Sequence, residues 1–285
     1  MDKIEQIKLS IVTPSYNQGP FLEKTILSVL EQGYPNLEYI IIDGGSTDNS
    51  LDIIKKYEKH LSYWVSEKDR GQSHAINKGF ERATGDLFGW LNSDDYYAPG
   101  ALKTVAEVYQ ENPTVGAVVG AGDLVDASGK SLCAHQPFPV SLETLYLWND
   151  RHFWQPACFF TREAWETCGP LSEKLTYSMD LDLWLNIAEK FSFATTDALL
   201  AHNLKHDNAK TTEYAVRSRV EAAFTIGAHG GEQQSRDFLI SYIEGLEEQI
   251  KKNEERYRKD LGNIRNSLSW KVTALLRKFG KLFVK

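Results

Sequence analysis

The chain has 285 residues, 42% of them hydrophobic and 12% aromatic, with a formal net charge of −7; that supplies a full core and excludes a disordered chain. Of its 32 Lys and Arg, Lys271, Arg277, Lys278, Lys281 and Lys285 fall at the end, where no acid follows Asp260, so the body before them carries about −12 with all 39 Asp and Glu. Such a body lacks the basic surface that nucleic-acid binding requires, and any anionic ligand has to be held by local groups or by a metal.

The charged start Met1-Asp2-Lys3-Ile4-Glu5 is unlike a secretory signal, and no apolar run approaches the ~18 residues of a membrane span. Cys133, Cys158 and Cys168 are odd in number and lack metal-type spacing, so they read as reduced core thiols of a cytoplasmic protein. A β-rich run over residues 9–13 ends at Pro14, and Phe21, Ile26, Val29 and Leu30 recur at helical spacing over 21–32. A second strand, 37–42, stops at Asp43-Gly44-Gly45-Ser46-Thr47-Asp48, a loop whose Ser and Asp residues can cap a helix over 49–59. A strand at 61–66, a helix at 72–83, a strand at 87–91, a helix after Pro99 and a strand at 115–119 follow. This alternation predicts an α/β fold with a largely parallel sheet flanked by helices, whose ligands sit beyond the carboxyl ends of the strands. Farther on the pattern is less regular, with a strand at 157–161 and a helix at 180–190 that are expected to build the acceptor side of a cleft.

Polar clusters fall at four of those strand ends: Pro14-Ser15-Tyr16-Asn17, Asp43 to Asp48, Asp69-Arg70-Gly71 and Asn92-Ser93-Asp94-Asp95. Adjacent carboxylates at the tip of an apolar strand repel unless compensated, and a hard divalent ion answers this; a solvated turn that caps a helix is the alternative. Asp43, at a strand end, is placed to accept hydrogen bonds from a base or ribose, and Asp48 to cap the next helix. The loop has neither the spaced glycines of a dinucleotide site nor the Lys of a P-loop. Arg70, inside its turn, is better placed than Lys78 to neutralise a diphosphate. Asp180 and Asp182 open an apolar helix, where capping explains one of them; Asp180 also suits a general base for an acceptor hydroxyl. His206 suits a third metal ligand or a phosphate contact, although a lone loop histidine is commonly neither.

From about residue 238 the texture changes to a long charged helix. Leu239, Ile243, Leu246, Ile250, Tyr257, Leu261, Ile264 and Leu268 recur every three or four residues, interrupted by Asn253. The spacing suits a coiled-coil seam over 239–268, hence a homo-oligomer, and equally a helix lying on its own domain. Over 270–285 one helical face is apolar and the other basic, which suits an anionic membrane surface, such as the inner face of the plasma membrane, or a partner subunit.

Taken in order, Val12-Thr13-Pro14-Ser15-Tyr16-Asn17, Ile41-Ile42-Asp43-Gly44-Gly45-Ser46-Thr47-Asp48, Asp69-Arg70-Gly71 with Ala75, Asn77 and Gly79, and Asn92-Ser93-Asp94-Asp95 resemble the family 2 glycosyltransferases with a GT-A fold. The resemblance covers roughly residues 8–212. It implies a GT-A domain over 1–232, with a nucleotide-sugar half to about 122 and an acceptor half over 123–232, followed by a helical tail over 233–285. It places Thr13, Pro14 and Tyr16 in the nucleotide pocket, Asp43 on the base, and Asp69 and Arg70 on the nucleotide side. Asp94 is expected near the ribose and Asp95 on a Mn²⁺ or Mg²⁺ ion. Met179-Asp180 stands where the family often has Glu-Asp, the second of which resembles the catalytic base; Met179 departs from that pattern. The stretch Lys205-His206-Asp207-Asn208-Ala209-Lys210-Thr211 looks like the loop that closes over the diphosphate, with His206 as a ligand. The implied activity is inverting, metal-dependent transfer of a hexosyl group from a nucleotide-diphosphate sugar, a UDP-sugar by preference, to a glycan or lipid-linked hydroxyl acceptor in surface polysaccharide or glycan assembly. A non-catalytic nucleotide-sugar-binding scaffold and a sugar nucleotidyltransferase are the other readings; the first strand's loop has no cation of the kind the latter uses.

Overall fold

Continuous apolar runs bounded by Pro, Gly and Asp give the strands of the first half, and apolar residues three and four apart give its helices. A computed structural model, which describes residues 6–148, 150–206, 215–267, 270, 271 and 273, begins with β1 (Leu9–Ser15), α1 (Gly19–Leu30), β2 (Leu37–Asp43), α2 (Ser50–Tyr57), β3 (Tyr63–Ser66), α3 (Gln72–Phe80) and β4 (Leu87–Trp90). It continues through β5 (Tyr96–Tyr97), α4 (Ala101–Glu111), β6 (Ala117–Val125), β7 (Ser131–His135), α5 (Leu142–Leu145), β8 (Cys158–Thr161) and α6 (Arg162–Cys168). The last elements are α7 (Met179–Ala188), β9 (Phe193–Leu204), α8 (Ala215–Ala228) and α9 (Glu232–Asn266).

The sheet order is β3-β2-β1-β4-β8-β6-β9-β5, with β7 paired to β6. The first four strands are parallel, as expected. The parallel run stops at β8, which lies antiparallel to both β4 and β6. The sheet is therefore mixed, and the carboxyl ends of β4 and β6 share an edge with the amino end of β8.

Helices cover both faces. Leu9, Ile11, Tyr39 and Ile41 pack with Leu22, Ile26 and Leu102 from α1 and α4. Val12, Ile40, Ile42 and Phe88 face the other way, toward Ile76 and Phe80 of α3 and Trp184 of α7. Such two-sided burial explains why β1 is buried at all seven positions, its Ser10, Thr13 and Ser15 included. Gly79 lets α3 lie directly on β1, because a Cβ there would collide with the Val12 side chain.

One polar knot fastens the sheet. Glu38 of β2 accepts from Lys8 Nζ at 2.8 Å, Ser10 Oγ at 2.5 Å, and Thr84 N and Oγ1 at 2.6 and 2.7 Å. Burial alone would raise its protonation equilibrium, but these donors hold it at about 2.

Two units divide the chain, residues 1–235 and 236–285. The described part of the second is mainly the continuation of α9, a helix that carries one buried residue, Ser235. Among the described residues no helix is long and apolar enough to cross a membrane. The basic amphipathic stretch expected over 270–285 lies almost wholly outside the described residues.

Candidate active site

The loops after β1 and β2 are stitched together by their own side chains. Asn17, at a positive φ of 52°, accepts from Thr47 N at 2.8 Å through its Oδ1 and donates its backbone N–H to Ser46 Oγ at 2.8 Å; Asn tolerates that region better than most residues. Asp48 accepts from the N–H groups of Gly19 and Ser50, both at 2.9 Å, and so tethers the starts of α1 and α2. Asp43 is fully buried. Its Oδ2 takes Gly45 N, Ser46 N and Ser66 Oγ at 3.1, 2.9 and 2.6 Å, and its Oδ1 takes Ser46 Oγ at 2.5 Å. Asp43 thus shapes its own loop. Thr13 points into the core, with Oγ1 3.1 Å from Tyr39 OH, while Pro14 is buried and Tyr16 is 59% exposed. Asp69 rests against Gly44, where an added Cβ would stand 2.5 Å from Asp69 Oδ2.

At the tip of β4 the two adjacent aspartates differ. Asp95 is 4% exposed and accepts from Leu204 N at 3.2 Å, Asn92 Nδ2 at 3.3 Å and Asn203 Nδ2 at 3.4 Å. Burial, and then the charge of Asp94, push its protonation well above the usual carboxylate range. Asp94 keeps 23% of its side chain exposed and holds His206 Nε2 at 3.0 Å on Oδ2. The His206 ring lies on Phe21, with centroids 4.5 Å apart, and its buried Nδ1 has no hydrogen-bond partner among the described residues. The expectation that Asp95 would face a cation meets a carboxylate turned inward onto the end of β9; of the pair, Asp94 has the open side.

These residues fit a hard divalent ion. Among the described residues no three His, Cys, Asp or Glu side chains converge on a metal position. One carboxylate and one imidazole would, however, leave the rest of the shell to water and phosphate oxygens, as Mg²⁺ and Mn²⁺ commonly require.

Asn92 organises this tip, a role its sequence position does not reveal. Its Oδ1 accepts from Trp90 Nε1 at 2.7 Å and Gln72 Nε2 at 2.8 Å, and its Nδ2 donates to Asp95 and to Gln155 Oε1 at 3.2 Å. Gln155 in turn donates to Trp90 O at 2.7 Å. The short turn Gln155–Ala157 leads into Cys158, a buried thiol raised first by burial and then by the charge of Asp180.

Asp180 sits in the first turn of α7, and its Oδ1 accepts the N–H of Leu181 at 2.8 Å. Burial raises it to about 6, opposed by backbone hydrogen bonds and aided by the charge of Glu221. A carboxylate tuned this way is mostly ionised at neutral pH yet basic enough to take a proton. The neighbouring Asp182 is engaged elsewhere, at 3.0 Å from His229 Nε2. Ser178 makes no side-chain cap for α7. Instead Glu221 of α8 caps it from outside: one oxygen, Oε1, accepts the N–H groups of Thr176, Tyr177 and Ser178 at 2.9, 2.6 and 2.8 Å. A residue more than 40 positions away in sequence does the work of a local cap, so no reading of local signals finds it.

Arg70 forms a two-pronged pair with Glu173, both contacts at 2.7 Å, and Lys78 pairs with Glu67. Arg70, the cation expected to neutralise a diphosphate, is thus paired with a surface carboxylate, as is Lys78.

Residues 10–167 match the family model described as Glycosyl transferase family 2. The chain is 26% identical over 214 residues to the chondroitin synthase of Escherichia coli, covering 72% of this chain and 31% of that protein. That synthase is one of seven curated relatives of whose own length the chain spans only 20% to 44%. Among solved structures, S. aureus TarS 1-349 in complex with UDP-GlcNAc superposes with a TM-score of 0.63 at 18% identity, over 82% of this chain and 72% of that one. A mannosyltransferase of Pyrobaculum calidifontis in complex with GDP-Man and Mn²⁺ gives 0.57 at 20% identity, over 80% and 64%.

Proposed function

Because the chain belongs to glycosyl transferase family 2 and has the GT-A fold, we propose that it transfers a hexosyl group from a nucleotide-diphosphate sugar, a UDP-sugar by preference, to a hydroxyl of a glycan or lipid-linked acceptor with inversion. The reading is supported by polysaccharide synthases among the relatives and by a UDP-sugar in one structural neighbour. The observation that carries it is the division of labour at the β4 tip, with Asp95 turned inward as a strut and Asp94 open beside His206.

The first half, to about residue 122, holds the donor, with the loop built on Asp43, the Asp69 carboxylate, the backbone at Thr13 and Pro14 and the exposed Tyr16 ring around the nucleotide. Arg70 reaches it only by leaving Glu173. Residues 123–232 form the acceptor half, and 233–285 a helical tail. Asp94 and His206 would hold a Mn²⁺ or Mg²⁺ ion, which when bound would supply positive charge for the leaving diphosphate. Asp180 takes the acceptor's hydroxyl proton as the oxygen bonds to the anomeric carbon from the face opposite the diphosphate; the anomeric C–O bond breaks, and nucleoside diphosphate leaves with its electrons.

The test is an assay of the full chain with a panel of UDP-sugars, GDP-mannose and Mn²⁺, following nucleoside diphosphate and pyrophosphate separately. Release of nucleoside diphosphate is expected. Pyrophosphate release would point to a nucleotidyltransferase, and binding without any turnover to a scaffold.

A further inference from the structure

The long helix α9 presents an apolar stripe that no described residue of its own unit covers. Ile243, Ile250, Tyr257 and Leu261 are 54%, 60%, 63% and 53% exposed. At 100° per residue these four and Leu239 fall within about 40° of one line, a seam rather than scattered surface residues. Five of its positions are symmetric about one point, while Leu246 and Ile264, on the same face, would fall opposite Glu254 and Arg236. Leu239 and Leu261 stand 11 residues on either side of Ile250, and Ile243 and Tyr257 stand seven on either side. Spacing by 11 corresponds to about 3.67 residues per turn, which lets a helix pair keep contact with a slight right-handed supercoil.

Charge reverses at the same point. From Glu232 to Gln249 the helix carries five acids and one base; from Lys251 to Asn266 it carries six bases and three acids. Two copies laid side by side in parallel would set acidic half against acidic half and basic against basic. Laid antiparallel about Ile250, each acidic half meets a basic one, Leu239 meets Leu261, Ile243 meets Tyr257, and the helices overlap along nearly their whole length. Only one orientation satisfies both patterns.

We propose that α9 docks on α9 of a second copy of this chain, antiparallel and centred on Ile250, making the protein a homodimer. The occupant is a second copy because five apolar positions placed symmetrically about Ile250, with a change of charge sign at the same point, are complementary to themselves under a twofold axis. The inference does not depend on the catalytic reading.

The experiment combines sedimentation of the full chain with disulfide trapping. The wild type should sediment as a dimer that loosens as salt rises, and Ile250→Asp should weaken it at least tenfold, with its circular dichroism showing whether the helix persists. Leu239→Cys and Leu261→Cys chains should cross-link when mixed under oxidation and not when either is oxidised alone, against a wild-type background control. A wild type that remains monomeric, meaning that the stripe is covered within the chain, overturns the proposal. So does self-cross-linking of either variant alone, the mark of a parallel pair.

Discussion

Asp95 is buried and Asp180 half-buried, and both have raised protonation equilibria, yet their surroundings differ. Asp95 receives only donors, from Leu204, Asn92 and Asn203. Replacing it by Asn turns an amide donor toward other donors and should lower the melting temperature. Asp94→Asn, at the open side, should leave the melting temperature near wild type and abolish the extra stabilisation that UDP with Mn²⁺ gives in a thermal-shift assay. Equal effects of the two substitutions on folding would count against the division of roles. For Asp180, held at about 6 by burial, the sign is direct: the protonated acid, dominant below that pH, cannot accept a proton. The kcat/KM profile should therefore climb through pH 6 to a plateau, and Asp180→Asn should lower turnover by about 10²–10⁴-fold while UDP still binds. Glu221 adds negative charge beside Asp180 and so raises it. Glu221→Gln keeps an acceptor oxygen but removes that charge, and should move the rising limb of the profile to lower pH. A limb that stays in place would show that Glu221 acts on helix position alone.

Among the elements, those made by local rules were legible and those made by distant partners were not. The apolar runs of β1, β2 and β4 and their Asp-rich loops stand out in sequence because burial on both faces leaves little polar alternation. β9, from Phe193 to Leu204, was unforeseen: its side chains alternate between buried and exposed, and it mixes Thr, Asp and His with its apolar residues. The capping of α7 by Glu221, the Asn92 junction and the Arg70–Glu173 pair bring together residues far apart in the chain, the last 103 positions apart. Composition and spacing contain no record of such contacts. Glu38 is the same kind of feature in the sheet, joining β2 to β1 and to the segment before β4. Its equilibrium is depressed from 4.5 to about 2, so its contribution is complete above pH 4.5 and disappears as pH falls toward 2. Glu38→Gln should cost about 1–2 kcal/mol at neutral pH after solvent screening is allowed for, and the penalty should shrink in acid. Urea titrations of both proteins at pH 7 and pH 3 check it.

Across the whole molecule, the sheet changes direction at β8, between β4 and β6. β8 runs against β4 through Leu87, Phe88 and Gly89 and against β6 through Ala117, Val118 and Val119, and Cys158 begins that joining strand. Its thiol is fully enclosed and resists ionisation, whereas Cys133 lies exposed on the sheet's margin and Cys168 is half-buried. An alkylating reagent should accordingly modify Cys133 in the native protein and reach Cys158 only when the junction parts. Mass spectrometry of the labelled peptides over time, with and without UDP, should show slower modification of Cys158 when nucleotide is bound. The chain thus carries an internal stopwatch: one sulfur atom, walled in at the strand that joins the parallel run to the rest of the sheet, whose rate of capture counts how often that wall is breached.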